Sequence, residues 1–304
     1  MLPDATTVKI IPTPDDIALA ASRIAPYARR TPILRATVDG RPVVLKLEQL
    51  QLTGSFKLRG ALNALLADRP ARVVTASGGN HGLAVATAAA LLGLPATVYT
   101  PESVPAAKAR RIEATGARLV RHGATYAEAA AFAMSNADGA RYLPAYNDPM
   151  VVAGQGTCAA EAVAEASEVD TLVAAVGGGG LAAGTVLGGG GRPVIAVEPE
   201  GCRALHDALA AGRPVDSAVS SVASSALGAT RVGEVPFEIL RGVTSILVSD
   251  AELLAARDRL WEEFRIAVEP AGAVPFAAWL SGRVPGELPC LILCGANSDW
   301  TPSN

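Results

Sequence analysis

Apolar-rich runs of three to six residues recur along the chain, at 32–34, 43–48, 72–76, 96–100, 117–120, 171–176, 193–197 and 290–293. They are rich in Val, Leu and Ile and bounded by Gly, Pro and polar residues, which predicts short buried strands. Between them lie longer segments with helical spacing. A helix starts at Thr13-Pro14-Asp15-Asp16, where threonine can cap and proline suits the first helical position. Others are predicted over 61–66, over an alanine-rich stretch reaching 92, over a basic amphipathic stretch at 105–115, and over 155–166. Strand, glycine turn, helix and strand alternate, which predicts an α/β fold with parallel strands and crossover helices.

Half of the 304 residues are hydrophobic, enough to fill the core of one large or two modest domains. The net charge of −3, with no Lys/Arg run, argues against a nucleic-acid partner. No uninterrupted apolar segment is long enough for a membrane span. Met1-Leu2-Pro3-Asp4 lacks the charged-then-apolar pattern of an export signal. The four cysteines, at 158, 202, 290 and 294, show no zinc spacing and read as reduced thiols. A cytoplasmic protein is expected.

Candidate chemistry begins at Gly177, Gly178, Gly179 and Gly180, directly after the strand ending at Val176. A strand that feeds a side-chain-free loop and then a helix aims several backbone N–H groups at one point, where an anion such as phosphate can bind. A second glycine run, 188–191, follows a helix and leads into Arg192-Pro193, as an ordinary surface turn does. Neither run fits the dinucleotide fingerprint well, although Glu198 stands at a strand end about where its acidic residue falls, so an NAD enzyme stays open. The Walker lysine spacing is absent.

The turn Ser77-Gly78-Gly79-Asn80-His81-Gly82 is a second strand-to-helix site, suited to a carboxylate or to a plain helix cap. Asn80 can donate to a phenolic oxygen, whereas His81 has no assigned acid–base role. Cys294 follows the last apolar run; it is either a small buried hydrophobe or a site residue at a strand's carboxyl end. Lys57, within Thr53-Gly54-Ser55-Phe56-Lys57-Leu58-Arg59-Gly60, would on its own be a solvated surface lysine.

Taken in order, these stretches resemble the fold-type II pyridoxal-phosphate enzymes, and within them the L-serine/L-threonine dehydratases. The resemblance runs from Leu45 to Asn297. It includes Asn147-Asp148-Pro149, Ala153-Gly154-Gln155-Gly156-Thr157, Val197-Glu198-Pro199, Glu269-Pro270-Ala271-Gly272-Ala273 and Cys294-Gly295-Ala296-Asn297. It implies two open, twisted, mostly parallel sheets flanked by helices. Residues 1–68 and 146–304 would form the large cofactor-binding part, and 69–145 the small part that takes the substrate carboxylate.

The resemblance further implies that Lys57 holds pyridoxal 5'-phosphate as a Schiff base and then serves as the base at the α-carbon. Phe56 would pack on one face of the ring and Ala226 on the other. Gly177 to Gly180 would hold the phosphate, Asn80 the phenolic oxygen, and Cys294 the ring nitrogen. Ser77, Asn80 and His81 would line the substrate carboxylate site. The implied reaction eliminates water from a small amino acid, L-serine or L-threonine, to give ammonia and a 2-oxo acid. A bulkier 3-hydroxy amino acid, or cofactor binding without turnover, are the alternatives. A homodimer is implied.

Some positions depart from the family pattern. Serine racemases carry a second serine where this chain has Gly78, so poor racemisation is expected. The family's divalent site pairs a glutamate with an aspartate six residues on; Glu198 matches, but the later position is Ala204. A monovalent cation, K+ or Na+, near Glu198, Cys202, Leu227 and Ala229 is expected instead. The chain ends soon after Asn297, leaving no room for a C-terminal regulatory domain, so feedback inhibition by isoleucine is not expected.

Overall fold

The computed structural model describes residues 10–297; Met1 to Asp4, read above for an export signal, lie outside them. The described strands are β1 (Ile33–Val38), β2 (Arg41–Lys46), β3 (Val73–Ala76), β4 (Ala96–Thr100), β5 (Arg118–Arg121), β6 (Arg141–Tyr142), β7 (Thr171–Ala175), β8 (Val194–Pro199), β9 (Thr244–Val248) and β10 (Pro289–Ile292). They form a six-stranded sheet in the order β1-β2-β10-β7-β8-β9 and a four-stranded sheet in the order β5-β4-β3-β6. The fold is α/β and mostly parallel, as expected.

The antiparallel pair is β1 with β2. Asp39 and Gly40 join them with φ of 51° and 74°, the left-handed pair that closes a tight hairpin and matches the twist of its strands. Residues 32–34 and 43–48 thus belong to one hairpin rather than to a crossover unit.

Burial explains which strands the apolar pattern revealed. Every residue of β7, β8 and β10 is buried, so both faces select apolar side chains. The edge strand β9 buries Val248 alone, and the two residues of β6 are half-buried. Neither carried a continuous apolar signal.

The helix Lys57–Asp68 joins the two layers. Leu58, Ala61, Leu62 and Leu65 pack with Ala84, Val85 and Ala88 of the helix Asn80–Leu91, with Val73 of β3, and with Val151 of the helix Pro149–Glu165. That last helix starts six residues before the predicted 155. Asp148 caps it by accepting from the Met150 and Val151 N–H groups at 2.8 and 3.1 Å, and Pro149 takes the first position.

Candidate active site

Three strand ends and one loop meet in a crevice at the carboxyl side of the strands, where open α/β sheets place their ligands. β7 leads through Val176 into Gly177 to Gly180, and the helix Gly180–Gly188 begins there. Gly179 has φ of 93°, a backbone state that disfavours a side chain, and the first N–H groups of the helix have no carbonyl of their own helix to meet. β10 leads to Cys294, and β3 to the turn carrying Asn80. The Lys57 loop is tied to the end of β10. Phe56 N–H donates to the Cys294 carbonyl at 3.1 Å, and Ala296 N–H to the Gly54 carbonyl at 2.9 Å.

One cavity is lined by Phe56, Lys57, Asn80, Gly177, Gly178, Gly179, Gly180, Ala226, Leu227 and Cys294, together with Tyr146, Glu269 and Ala271. Lys57 Nζ donates to the Ala145 carbonyl at 2.9 Å and stands 5.1 Å from the centre of the Phe56 ring. Burial lowers its ammonium pKa to about 8, against the opposing pull of Cys294 and Glu269. Cys294 Sγ donates to the Ala271 carbonyl at 3.5 Å. Burial, then the neighbouring Glu269, pushes that thiol well above its ordinary value, so it is neutral. Glu269 is also held above the usual carboxylate range by burial, and its Oε1 accepts from Asn80 Nδ2 at 2.6 Å.

The Ser77 and His81 side chains are not among those lining this cavity. Ser77 Oγ accepts from the Gly79 N–H at 3.2 Å and shapes the turn. The His81 ring is buried, with Nε2 donating to the Leu143 carbonyl at 3.0 Å. Burial, and then the charge of Lys57, drop its pKa to about 3, so it is neutral. What Asn80, His81 and Gly82 offer the crevice is the set of backbone N–H groups in a helical first turn.

Of the residues expected around a cation, Glu198 and Cys202 lie near enough to interact electrostatically. Glu198 is fully buried, and its two oxygens accept from the Leu205 and His206 N–H groups at 2.8 Å each, capping the helix Ala204–Ala211. Burial raises its pKa to about 8. Cys202 bridges to Val219, while Leu227 lines the cavity described above. Ala229 lies two residues past the short helix Ser224–Leu227. Among the described residues, no group of three or more His, Cys, Asp or Glu is placed to hold a metal ion.

Several residues had no role assigned from the sequence, although Arg59 and Glu269 stand within the quoted motifs. Tyr146 follows Ala145 and packs its ring on Gly178, and Glu269 precedes the helix Pro270–Leu280. Behind Lys57, Arg59 is wholly buried. It makes two bonds to Glu48, both at 2.8 Å, and two to Glu161, both at 2.7 Å. Lys46 Nζ joins Glu161 at 2.8 Å, and the Thr31 hydroxyl donates to Glu48. Arg59 lies in the second position after Lys57, so this network fixes the first turn of the helix that Lys57 begins.

The donor set suits a phosphorylated pyridine aldehyde: a half-buried amine of lowered pKa, a glycine loop at a helix N-terminus, a carboxamide donor and a neutral thiol line the same cavity. A family profile described as pyridoxal-phosphate dependent enzyme matches residues 24–295. The beta-hydroxyaspartate dehydratase of Paracoccus denitrificans is 34% identical over 95% of this chain and 97% of its own length. The serine racemase of Arabidopsis thaliana is 32% identical over 92% of this chain and 91% of its own. The crystal structure of the T.th. threonine deaminase superposes with a TM-score of 0.90 at 36% identity, covering 96% of this chain and 100% of that one. By its cavity and by these matches, the chain belongs to the pyridoxal-phosphate dependent enzymes.

Proposed function

We propose that this chain eliminates water from a small 3-hydroxy amino acid, L-serine or L-threonine, and releases ammonia and a 2-oxo acid. The carrying observation is the pairing of Lys57, a half-buried amine with pKa about 8, with the neutral thiol of Cys294 in one cavity. Pyridoxal phosphate, when bound, supplies an electron sink for the substrate's α-carbon. Backbone N–H groups from Gly177 to Gly180 would hold its phosphate, Asn80 its phenolic oxygen, and Phe56 and Ala226 its two faces. The first-turn amides at Asn80, His81 and Gly82 hold the substrate carboxylate. Lys57 would take the α-proton, and its lowered pKa keeps a usable fraction of free amine at neutral pH. Cys294 would face the ring nitrogen, where a neutral thiol would leave the ring a modest electron sink and so favour loss of the β-hydroxyl over transamination.

A second substrate reading has its own support. Lys108 and Arg111 line a crevice that shares Asn80 and Glu269 with the cofactor cavity, and both lower the pKa of Glu269. Such a pair suits a second carboxylate, as on 3-hydroxyaspartate, the class named for the Paracoccus relative. Purified holoenzyme offered L-serine, L-threonine and 3-hydroxyaspartate, with 2-oxo acid as the readout, ranks the two readings. No 2-oxo acid from any of them sinks both. A homodimer remains our proposal for the assembly, supported by exposed Leu50 and Leu52 beside the Lys57 loop and testable by sedimentation.

A further inference from the structure

Four side chains form a directed line of hydrogen bonds from the helix Ala106–Glu113 into the cofactor cavity. Arg111 Nη2 donates to Asn297 Oδ1 at 2.7 Å. Asn297 Nδ2 donates to Asn80 Oδ1 at 2.7 Å and to the Thr53 carbonyl at 2.8 Å. Asn80 Nδ2 donates to Glu269 Oε1 at 2.6 Å. The ends of this line differ in kind. A guanidinium can only donate and the Thr53 carbonyl can only accept, so the Asn297 amide between them has one orientation, and its NH2 in turn sets the Asn80 carbonyl toward it.

Turning Asn297 over would set its NH2 against the Arg111 guanidinium and its carbonyl against the Thr53 carbonyl. Turning Asn80 over would set two NH2 groups against each other and two acceptors together at Glu269. The first reversal leaves the buried Asn297 amide against its own kind and the second leaves the buried Glu269 facing an acceptor, which costs more than a hydrogen bond contributes; Arg111 itself is exposed. In the orientation present, one hydrogen of the Asn80 NH2 goes to Glu269, which leaves the second free for a ligand in the cavity that Asn80 lines.

We propose that Arg111 and Asn297 are positioning residues that hold the Asn80 amide with its NH2, and not its carbonyl, toward the phenolic oxygen of the cofactor. The proposal rests on the reading of Asn80 as the partner of that oxygen. Arg111 is not among the residues lining the cofactor cavity; its hydrogen bond reaches that lining through Asn297 and then Asn80, while its charge also acts on Glu269.

The test uses holoenzyme without substrate and reads two quantities, the visible absorbance of the lysine-bound cofactor and the cofactor dissociation constant by equilibrium dialysis. Asn80→Ala sets the scale. Arg111→Met and Asn297→Asp should shift the absorbance in the same direction and weaken cofactor binding, roughly ten-fold for Asn297→Asp, which obliges Asn80 to turn over. Arg111→Lys keeps a donor-only group and should restore the wild-type spectrum. Wild-type spectrum and affinity in Arg111→Met and Asn297→Asp, with both changed in Asn80→Ala, would overturn the positioning role; so would a lowered melting temperature as their only effect. No change in Asn80→Ala overturns the reading of Asn80 and the proposal with it, while the elimination activity is judged separately by 2-oxo acid release.

Discussion

The ring of Tyr146 lies where a side chain on Gly178 would stand: a Cβ at Gly178 would come within 2.2 Å of the ring carbons. The glycine loop is therefore glycine for two reasons, exposed amides and room for the Tyr146 ring, which lines the same cavity. Gly178→Ala should push Tyr146 out of place and cost about 1–3 kcal/mol, as overpacking does. Titrating cofactor-free protein with pyridoxal phosphate should show weakened binding. Gly191→Ala, in the second glycine run, should leave that affinity unchanged, because Gly191 has no other atoms within 4 Å of its would-be Cβ.

Lys57 gives a pH signature. Its pKa falls from 10.5 to about 8 on folding, so in the cofactor-free protein the folded chain releases this proton before the unfolded chain does. The burial penalty is full below about pH 8 and is relieved as pH rises toward 10.5, so this group's contribution to stability grows with pH across that window. Capture of pyridoxal phosphate should speed up through about pH 8 and then level off, as followed by stopped-flow absorbance. Lys57→Ala should lose both the visible band and turnover; retention of either removes Lys57 from the mechanism.

His81 gives the same direction of slope in a lower window. With its pKa lowered from 6.5 to about 3, the unfolded chain binds this proton first as the solution acidifies. The stabilisation is complete above pH 6.5 and is lost progressively as pH falls toward 3. Urea unfolding of His81→Gln across that range should show a flatter loss of stability than wild type. Parallel curves would mean that the ring is not held neutral.

Gly78 is crowded as well as side-chain-free. A Cβ there would lie 2.5 Å from Val104 Cγ2. Gly78→Ser should therefore destabilise the turn by about 1–3 kcal/mol and yield no D-serine. Val104→Ala in the same chain should relieve the crowding. Chiral chromatography of products from the single and double variants decides the matter, and D-serine from Gly78→Ser alone would show that Val104 moves aside freely.

Much of the fold was legible because β7, β8 and β10 are buried on both faces and so had to be apolar throughout. The hairpin was missed although Asp39-Gly40 advertises it, since the flanking strands do not alternate cleanly: β2 buries its last four residues in succession. In the site, Lys57, Asn80, the glycine loop and Cys294 stood out by residue type at strand ends, and they line one cavity. Tyr146 and Arg111 had no such mark. Their importance comes from what they touch, a glycine 32 positions later and an asparagine 186 positions later, and no local pattern encodes a partner so distant. The turn carrying Ser77 and His81 was legible too, while the bonds that occupy their side chains, to the Gly79 N–H and the Leu143 carbonyl, were not.

The helix that begins at Lys57 packs on both layers through small residues, with Ala61 and Ala64 sharing a cluster with Ala84, Ala88 and Ala89 across the seam. Leu58, Leu62, Leu65 and Val85 interdigitate in the same cluster, so the two layers lock across the seam. Lys57 is pinned from behind by the Arg59 network, and Asn80 is tied to Asn297 and Glu269. The spacing between amine and amide is thus written into the scaffold, and weakening either tie would detune the site without touching a group that meets the ligand.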